Sequence, residues 1–255
     1  MPWNPEVYNQ FKDIRFQPFF DLMKMITADG LKAAVDIGCG TGEQTSILAD
    51  KFSEAHFIGI DASTEMLAAS TKLEHERLQF KQTTIEEFAD DNSQWYLVFS
   101  NAALQWADNH HVLFPKLLGK VTAGGQFAVQ MPSQTENVLN KVLLDLVQQQ
   151  PFSDYLQGWC RHSPVLSLDD YAQMMFVAGM SDIQIVQKVY PIIATDVDAL
   201  FNFISGSALI PYMEKLAIAE QALFTKTYKS SIGEAFRQFP AMYAFKRILL
   251  YGRRK

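Results

Sequence analysis

Five short apolar runs alternate with amphipathic segments over the first half of this chain. The runs span residues 33–37, 56–60, 78–82, 95–100 and 126–130, and the segments between them carry apolar residues at helical spacing. Repeated strand–helix units build parallel strand pairs, because each parallel neighbour requires a crossover connection. The pattern therefore predicts a doubly wound α/β fold, with a mostly parallel sheet and helices on both faces.

Beyond Pro132 the pattern changes to long helical stretches. These span residues 137–150, 168–178, 197–205 and 211–230, and two strand-like runs at 183–193 and 242–251 interrupt them. We expect the two runs to join the sheet as its last two strands, forming an antiparallel hairpin at one edge. The sequence thus predicts a seven-stranded sheet with a helical cap.

Composition and charge exclude several classes of protein. The 255 residues carry a net charge of -6, and no broad basic surface for nucleic acid is predicted. Cys39 and Cys160 lack the spacing of a zinc site or a disulfide framework, so no metal is expected. No apolar run reaches about 18 residues and residues 1–6 lack the pattern of a secretory leader, which favours a cytoplasmic protein outside the membrane.

A glycine cluster follows the first strand, in the sequence Asp36-Ile37-Gly38-Cys39-Gly40-Thr41-Gly42. Glycines here allow a sharp turn and a close approach of the backbone to a ligand. A dinucleotide-binding loop needs a third glycine at position 43, where Glu43 stands, and the Gly-Lys-Ser/Thr of a phosphate loop is missing. A carboxylate at the start of a helix repels a diphosphate, whereas S-adenosylmethionine has no phosphate and carries a sulfonium and an ammonium. The loop therefore predicts an S-adenosylmethionine site.

The second strand ends in an acidic residue, Asp61, which follows Gly42 at the spacing of a ribose-binding carboxylate. A carboxylate at a strand end can accept hydrogen bonds from both hydroxyls of a ribose. The alternative is that Asp61 caps a helix over residues 64–73. Its combination with the glycine loop favours the ribose.

Two motifs, VDIGCGTG and FIGIDAS, resemble those of the class I S-adenosylmethionine-dependent methyltransferases. Four further stretches are similar to trans-aconitate methyltransferases: WNPEVYNQF near the N-terminus, SNAALQW at 100–106, HHVLFPKLL at 110–118 and AVQMP at 128–132. Malonyl-acyl-carrier-protein methyltransferases share a similar SNxAxQW element, so that element alone does not separate the two families.

This resemblance implies a set of cofactor-binding residues. The methionine part would be surrounded by Asp36 and the backbone of Gly38, Cys39, Gly40, Thr41 and Gly42. Asp61 would bind the ribose, and Ala62 and Met66 would flank the adenine. The reactive methyl would lie beside Asn101, Ala102 and Ala103. The family has an acidic residue at the adenine edge, where this chain has Thr84 followed by Ile85. The expected carboxylate is therefore absent, and the hydroxyl or backbone at Thr84 and Ile85 would take its place.

Candidates for substrate contact are aromatic or basic. Trp3, Tyr8 and Phe11 fit either a packed arm or a lid over the cofactor, and Trp106 fits either core support or a substrate wall. His110, His111 and Arg161 are further candidates, and His162, Lys246 and Arg247 could add positive charge. Ile210 stands where the similar trans-aconitate methyltransferases have an arginine, which weakens the case for trans-aconitate itself. The aromatic content of the cap suits a less polar acid.

The resemblance and the loop together predict an O-methyltransferase that esterifies a small carboxylic acid. Its acceptor is ionised at neutral pH, so no general base is required and no catalytic acid or base is assigned. Residues 1–132 and 181–255 would form the cofactor-binding domain with an N-terminal lid, and residues 133–180 and 196–232 the helical cap that binds substrate. The alternatives are a malonyl-acyl-carrier-protein type enzyme, a non-catalytic S-adenosylmethionine-binding protein, and a dehydrogenase, which Glu43 disfavours.

Overall fold

The computed structural model describes the backbone of residues 12–255 and the side chains from residue 16 onward. Seven strands form one sheet. They are β1 (Ala33–Ile37), β2 (His56–Asp61), β3 (Leu78–Gln82), β4 (Trp95–Asn101), β5 (Val121–Pro132), β6 (Met180–Ala194) and β7 (Ala241–Arg254).

The strand order is β3-β2-β1-β4-β5-β7-β6. Strands β1 to β5 pair in parallel, and β7 pairs antiparallel with β5. This confirms the predicted mostly parallel, doubly wound sheet of seven strands. The two last strands are neighbours, as expected, but helices rather than a tight turn connect them.

Eleven α-helices are present within residues 12–255. They are α1 (Lys12–Met25), α2 (Glu43–Lys51), α3 (Thr64–Ser70), α4 (Ile85–Asp90), α5 (His110–Gly119), α6 (Val138–Val147), α7 (Phe152–Tyr155), α8 (Leu168–Val177), α9 (Val197–Ser205), α10 (Ile210–Lys215) and α11 (Ile218–Ala235). None of these helices is long and apolar enough to cross a membrane.

Two local features differ from the sequence prediction. Strand β5 starts at Val121 instead of residue 126, because residues 122–125 form a bulge within the strand: Trp95 pairs with Val121, and Leu97 pairs next with Gln126. The helix expected at 211–230 is two helices, since Ala217 is extended between them and its N–H donates to Glu220 Oε2 at 2.8 Å. A carboxylate that caps the second helix thus ends the first.

The chain forms two compact units, each with its own core. The sheet unit comprises residues 17–132, 164–188 and 247–255, and the cap unit comprises, among the described residues, 12–16, 133–163 and 189–246. Strands β6 and β7 each run from one unit into the other. Helix α8, which the sequence pattern places in the cap, falls in the sheet unit because its Tyr171 and Met175 belong to the core of that unit.

The core of the sheet unit lies between one face of the sheet and helices α4, α5 and α8. Val35, Val98 and Val129 contribute from the strands, and Phe88 and Phe114 from the helices. The next residues along the strands point to the opposite face, where Phe99 of β4 meets Phe19 of α1 edge-on at 6.0 Å between ring centroids. Both faces of the sheet are therefore covered by helices.

In the cap unit, Asn137 ties helix α6 to strand β7. Its side chain is fully buried, its Nδ2 donates to the Lys246 carbonyl at 3.0 Å, and its Oδ1 accepts from Lys246 N at 2.7 Å. The amide thus satisfies both backbone groups of one residue, in the way that a neighbouring strand would.

We expect Asn137→Ala to lower the free energy of unfolding by about 1–3 kcal/mol, because the N–H of Lys246 loses its partner, while the Lys246 carbonyl keeps only the bond from Ser133 N. Urea unfolding followed by tryptophan fluorescence measures the change. The control Thr135→Ala alters an exposed side chain one turn away and should leave the midpoint unchanged. Equal stabilities of the two variants would contradict the prediction.

Candidate functional site

The strand order places a crevice at the C-terminal ends of β1 and β4. The chain leaves β1 towards β2 and β3 on one side, then crosses back to β4 on the other side of β1. Connections that diverge in this way open the sheet edge to a ligand. Residues 38–42 follow β1 at this edge, and residues 102–103 follow β4.

The backbone of the glycine loop is hydrogen-bonded within the protein. The N–H groups of Gly38 and Cys39 donate to the Ile60 carbonyl at 2.8 and 3.0 Å, and Gly42 N donates to the Cys39 carbonyl at 3.0 Å. Gly40 N donates to Asp61 Oδ2 at 2.9 Å. Phosphate-binding loops instead direct such N–H groups at the ligand. With four N–H groups engaged, this loop is unsuited to a diphosphate.

The glycines of the loop are required for different reasons. Gly38 has φ +74°, and a Cβ on it would overlap the Cβ of Ala103. Gly40 has φ +56°, yet no atom lies within 4 Å of the place its Cβ would take. Gly38 therefore permits contact between the β1 loop and the end of β4, whereas Gly40 leaves open space.

Asp61 joins the glycine loop to the turn after β2. Its Oδ2 accepts from Gly40 N and its Oδ1 accepts from Ser63 N, both at 2.9 Å. The cap of helix α3 is Ser63, whose Oγ accepts from Met66 N at 3.2 Å. The alternative that Asp61 caps this helix is thus wrong, and each carboxylate oxygen keeps a lone pair for a further donor.

Asp36 is a carboxylate buried beneath the loop. It is 3% exposed and accepts from the Thr45 hydroxyl at 2.6 Å. Burial raises the pKa of Asp36 to about 7, although the Thr45 bond acts in the opposite direction. Burial and the charges of Asp36 and Asp61 also raise the pKa of the Cys39 thiol, which disfavours its thiolate form.

The end of β4 is bound to its neighbours by side chains. The Ser100 hydroxyl donates to the Ile37 carbonyl at 2.8 Å, and Asn101 Nδ2 donates to Gln44 Oε1 at 2.9 Å. Ala102 has φ +58°, a left-handed conformation that is uncommon for a residue with a side chain. Such backbone strain occurs preferentially at functional sites, which agrees with the position of Ala102 in the crevice.

Four candidates for adenine contact lie on the β2 and β3 side of the crevice. Ala62 and Met66 are exposed, and Thr84 and Ile85 are half-buried. Thr84 is the N-cap of α4, with its Oγ1 accepting from Glu87 N at 3.1 Å and its N–H donating to Glu87 Oε2 at 3.0 Å. The Thr-x-x-Glu spacing is the sequence signal of this capping box, and the sequence analysis missed it.

Two aromatic or imidazole candidates follow β4 and have different environments. Trp106 is 41% exposed. His110 is 1% exposed, with Nε2 at 2.9 Å from the Leu104 carbonyl and Nδ1 at 2.6 Å from Tyr171 Oη. Since a carbonyl only accepts, Nε2 carries the proton and Nδ1 accepts from the tyrosine. Both ring nitrogens of His110 are therefore engaged within the sheet unit, and burial lowers its pKa; its contact with substrate stays a prediction.

The basic candidates are divided between the two units. In the cap unit, Arg161 N donates to Tyr212 Oη at 3.0 Å, His162 Nε2 lies 3.1 Å from Cys160 Sγ, and Lys246 Nζ donates to the Glu136 carbonyl at 3.3 Å. In the sheet unit, Arg247 is buried in β7 opposite Pro132. Trp3, Tyr8 and Phe11 lie outside the described residues.

Within the described residues, no group of three or more His, Cys, Asp or Glu side chains is arranged to hold a metal ion. Four polar residues near the crevice or in β5 were not predicted from the sequence: Gln44, Thr45 and two buried glutamines of β5, Gln126 and Gln130. A polar residue in a predicted strand was the available signal for the glutamines, but only the fold reveals which face they occupy.

Comparisons with known proteins identify relatives of this chain in sequence and in fold. Residues 34–125 match a family model described as a methyltransferase domain. The trans-aconitate 2-methyltransferase of Deinococcus radiodurans is 35% identical over 260 residues, covering 100% of this chain and 99% of the relative. The protein of the same name from Paracidovorax citrulli is 29% identical, covering 99% and 98%. The solved YcgJ protein from Bacillus subtilis has a TM-score of 0.61 at 15% identity, covering 93% of this chain and 98% of that one, which supports the fold alone.

We expect Gly38→Ala to be clearly more destabilising than Gly40→Ala. Both place a side chain at positive φ, which costs about 1–2 kcal/mol, but only the first also overlaps Ala103, for a total of about 3 kcal/mol or more. Chemical denaturation of the two purified variants measures the difference. Equal losses of stability would show that the contact with Ala103 is not tight.

The raised pKa of Asp36 predicts a pH-dependent stability difference between wild type and Asp36→Asn. The unfolded chain releases this proton near pH 3.8 and the folded protein near pH 7, so wild type loses stability as pH rises through this window. The full penalty, on the order of 4 kcal/mol, is present above pH 7, and Asp36→Asn avoids it. Urea unfolding of both proteins between about pH 5 and pH 8 tests this. A constant difference across that range would contradict the assignment.

Proposed function

We propose, since the chain belongs to the trans-aconitate methyltransferase family of class I S-adenosylmethionine-dependent methyltransferases, that it esterifies a carboxylate of a small organic acid. Family membership makes the chain a methyltransferase with S-adenosylmethionine as its cofactor. The observation that carries the choice of acceptor is the identity of 35% along the full length of a relative named for trans-aconitate.

The residues at the crevice fit this cofactor in charge. Asp36, Asp61 and Glu43 place three carboxyl groups around the glycine loop, which has no Lys or Arg between residues 36 and 43. Negative charge stabilises a bound ligand that carries a sulfonium and an ammonium. Such a ligand also needs none of the backbone N–H groups that a diphosphate would require. The buried carboxyl of Asp36 would favour a nearby cation, because the cation offsets its cost of ionisation.

The cofactor would lie across the C-terminal ends of β2, β1 and β4. The open side of Gly40 gives room for its methionine part, beside Asp36 and the backbone of Gly38, Cys39, Thr41 and Gly42. The free lone pairs of Asp61 would accept from the ribose hydroxyls. The adenine would lie between Ala62 with Met66 and Thr84 with Ile85, and the methyl end beside Asn101 and Ala102.

The role of this chain in the reaction is to position the reactants. Bound S-adenosylmethionine supplies a methyl group on a sulfonium that leaves as a neutral thioether, so an ionised carboxylate attacks without losing a proton. The end of β4 would hold the acceptor in line with the methyl, at about 3–3.5 Å, and the crevice would exclude water. A general base is unnecessary, because a carboxylic acid with a pKa near 4 is already ionised at neutral pH.

The cap favours an acid less polar than a tricarboxylate. Ile210, which the sequence resemblance matches to an arginine of trans-aconitate methyltransferases, stands at the start of α10. It borders a surface pocket of about 290 Å³, whose described lining includes Glu214 and contains no Lys or Arg. A second or third carboxylate of a substrate would need cations or several hydrogen-bond donors to replace its water. We therefore consider mono- and dicarboxylic acids, in addition to trans-aconitate, as candidate acceptors.

Two measurements test the proposal. Calorimetry with S-adenosylmethionine should give a stoichiometric binding signal, which Gly40→Ala should abolish or weaken strongly because a methyl group would occupy the open side of the loop. Transfer of labelled methyl to a panel of acids should then give a product that releases labelled methanol in base, since only an ester is cleaved in this way.

The acceptor panel should include trans-aconitate, citrate, several mono- and dicarboxylic acids and a malonyl thioester on a carrier protein. Transfer that is confined to the carrier-bound thioester would favour the malonyl-acyl-carrier-protein type of enzyme. Label that is stable in base would show transfer to nitrogen or carbon and would contradict the carboxylate assignment.

A further inference from the structure

Two glutamines on one face of β5 are fully buried, but only one of them has hydrogen-bond partners. Gln126 and Gln130 are both 0% exposed. The Oε1 of Gln126 accepts from Thr27 N and from Tyr251 Oη, each at 2.9 Å, and its Nε2 donates to the Thr27 carbonyl at 2.8 Å. Neither Oε1 nor Nε2 of Gln130 has a partner within residues 12–255.

A buried amide without partners is unfavourable, because it has lost its water and gained nothing in exchange. Folded proteins contain few such groups, and those that occur are commonly completed by a ligand or by water. Gln126 shows that this same strand face can satisfy a glutamine fully from neighbouring residues. The unmet hydrogen bonds of Gln130 therefore point to a molecule outside the chain.

Two further amides with unfilled oxygens occur at the end of β4, one beside Gln130 and one linked to it through the backbone of Ala102. Asn101 is the register partner of Gln130 on the adjacent parallel strand, so both side chains leave the sheet on the same face. Gln105 Nε2 donates to the Ala102 carbonyl at 2.6 Å, and Ala102 N donates to the Gln130 carbonyl at 2.9 Å. Gln105 Oε1 and Asn101 Oδ1 are buried and have no partner in the described part of the chain. We name Asn101, Gln105 and Gln130 the amide cluster.

The amide cluster adjoins the proposed cofactor site at its methyl end. Ala103, between Ala102 and Gln105 in the same turn, packs directly on Gly38 of the glycine loop. The proposed cofactor runs from β2 across β1 to β4, and the cluster continues from β4 to β5. An acceptor on the amide cluster would therefore lie beyond the methyl group, where in-line attack requires it.

We propose that Gln130 binds the reacting carboxylate of the acceptor, with its Nε2 donating to one carboxylate oxygen and leaving the other oxygen to attack the methyl group. This inference rests on the proposed function. A paired Arg or Lys would hold the oxygen lone pairs and lower their nucleophilicity, whereas a neutral amide fixes the carboxylate and leaves its charge in place. The other unpartnered atoms of the cluster, Gln130 Oε1, Asn101 Oδ1 and Gln105 Oε1, are acceptors, so the cluster offers a single unused donor group and holds no more than one carboxylate.

The matched pair Gln130→Met and Gln126→Met tests this assignment, with Gln130→Leu as a second variant. Each protein is measured for its Tm, its Kd for S-adenosylmethionine and its kcat and KM for the best acid found with wild type. We expect the Gln130 variants to keep or raise the Tm and to keep the Kd for the cofactor. Their KM for the acid should rise about tenfold to a hundredfold, because one hydrogen bond to a charged group is lost. Gln126→Met should instead lower the Tm.

Three results would overturn the assignment of Gln130. An unchanged KM in an active Gln130→Met protein would show that the amide does not touch the acceptor. A Tm lowered as much as in Gln126→Met would indicate a structural role, and a weakened cofactor Kd would assign the amide to the cofactor instead. If wild type transfers methyl to no acid at all, the proposed function fails together with this assignment. The wild-type measurement alone shows that failure, so it is distinguished from a failure of the Gln130 assignment.

Discussion

The hydrogen bonds of Asp61 are the constraint on which the rest of the site depends. One carboxylate oxygen holds Gly40 of the loop after β1, and the other holds Ser63 of the turn after β2. Two loops from neighbouring strands are thereby fixed relative to each other before any ligand arrives. A preformed site of this kind does not need to be ordered on binding, so more of the contact energy remains as affinity.

Two glycines of the same loop, which look equivalent in the sequence motif, meet different structural requirements. Gly38 is glycine because the end of β4 packs on it, and Gly40 faces open space. The contact at Gly38 brings the turn after β4, which contains the strained Ala102, next to the glycine loop. The space at Gly40 leaves room for a ligand. Selectivity against diphosphates follows from the internal hydrogen bonds of the loop, and Glu43 at the start of α2 adds to it.

The strands, the glycine loop and Asp61 could be predicted because their signals are local in sequence. The break at Ala217 and the capping box of Thr84 were also local, but they depend on single carboxylates, Glu220 and Glu87, that a hydrophobic pattern does not register. Gln126 and Gln130 could not be distinguished in advance. Their difference is set by Thr27 and Tyr251, which are far away in sequence and meet only Gln126.

The position of β7 in the sheet affects the nascent chain during synthesis. Ile248 and Leu250 belong to the same core as Val35, more than two hundred residues earlier, and β7 completes the pairing of β5. A nascent chain made up to residue 235 holds every residue of the cofactor site, yet it exposes the edge of β5 to solvent. Such open edges promote association between chains. The sheet is therefore complete only after β7 has been synthesised, and until then the free edge of β5 can pair with a strand of another chain.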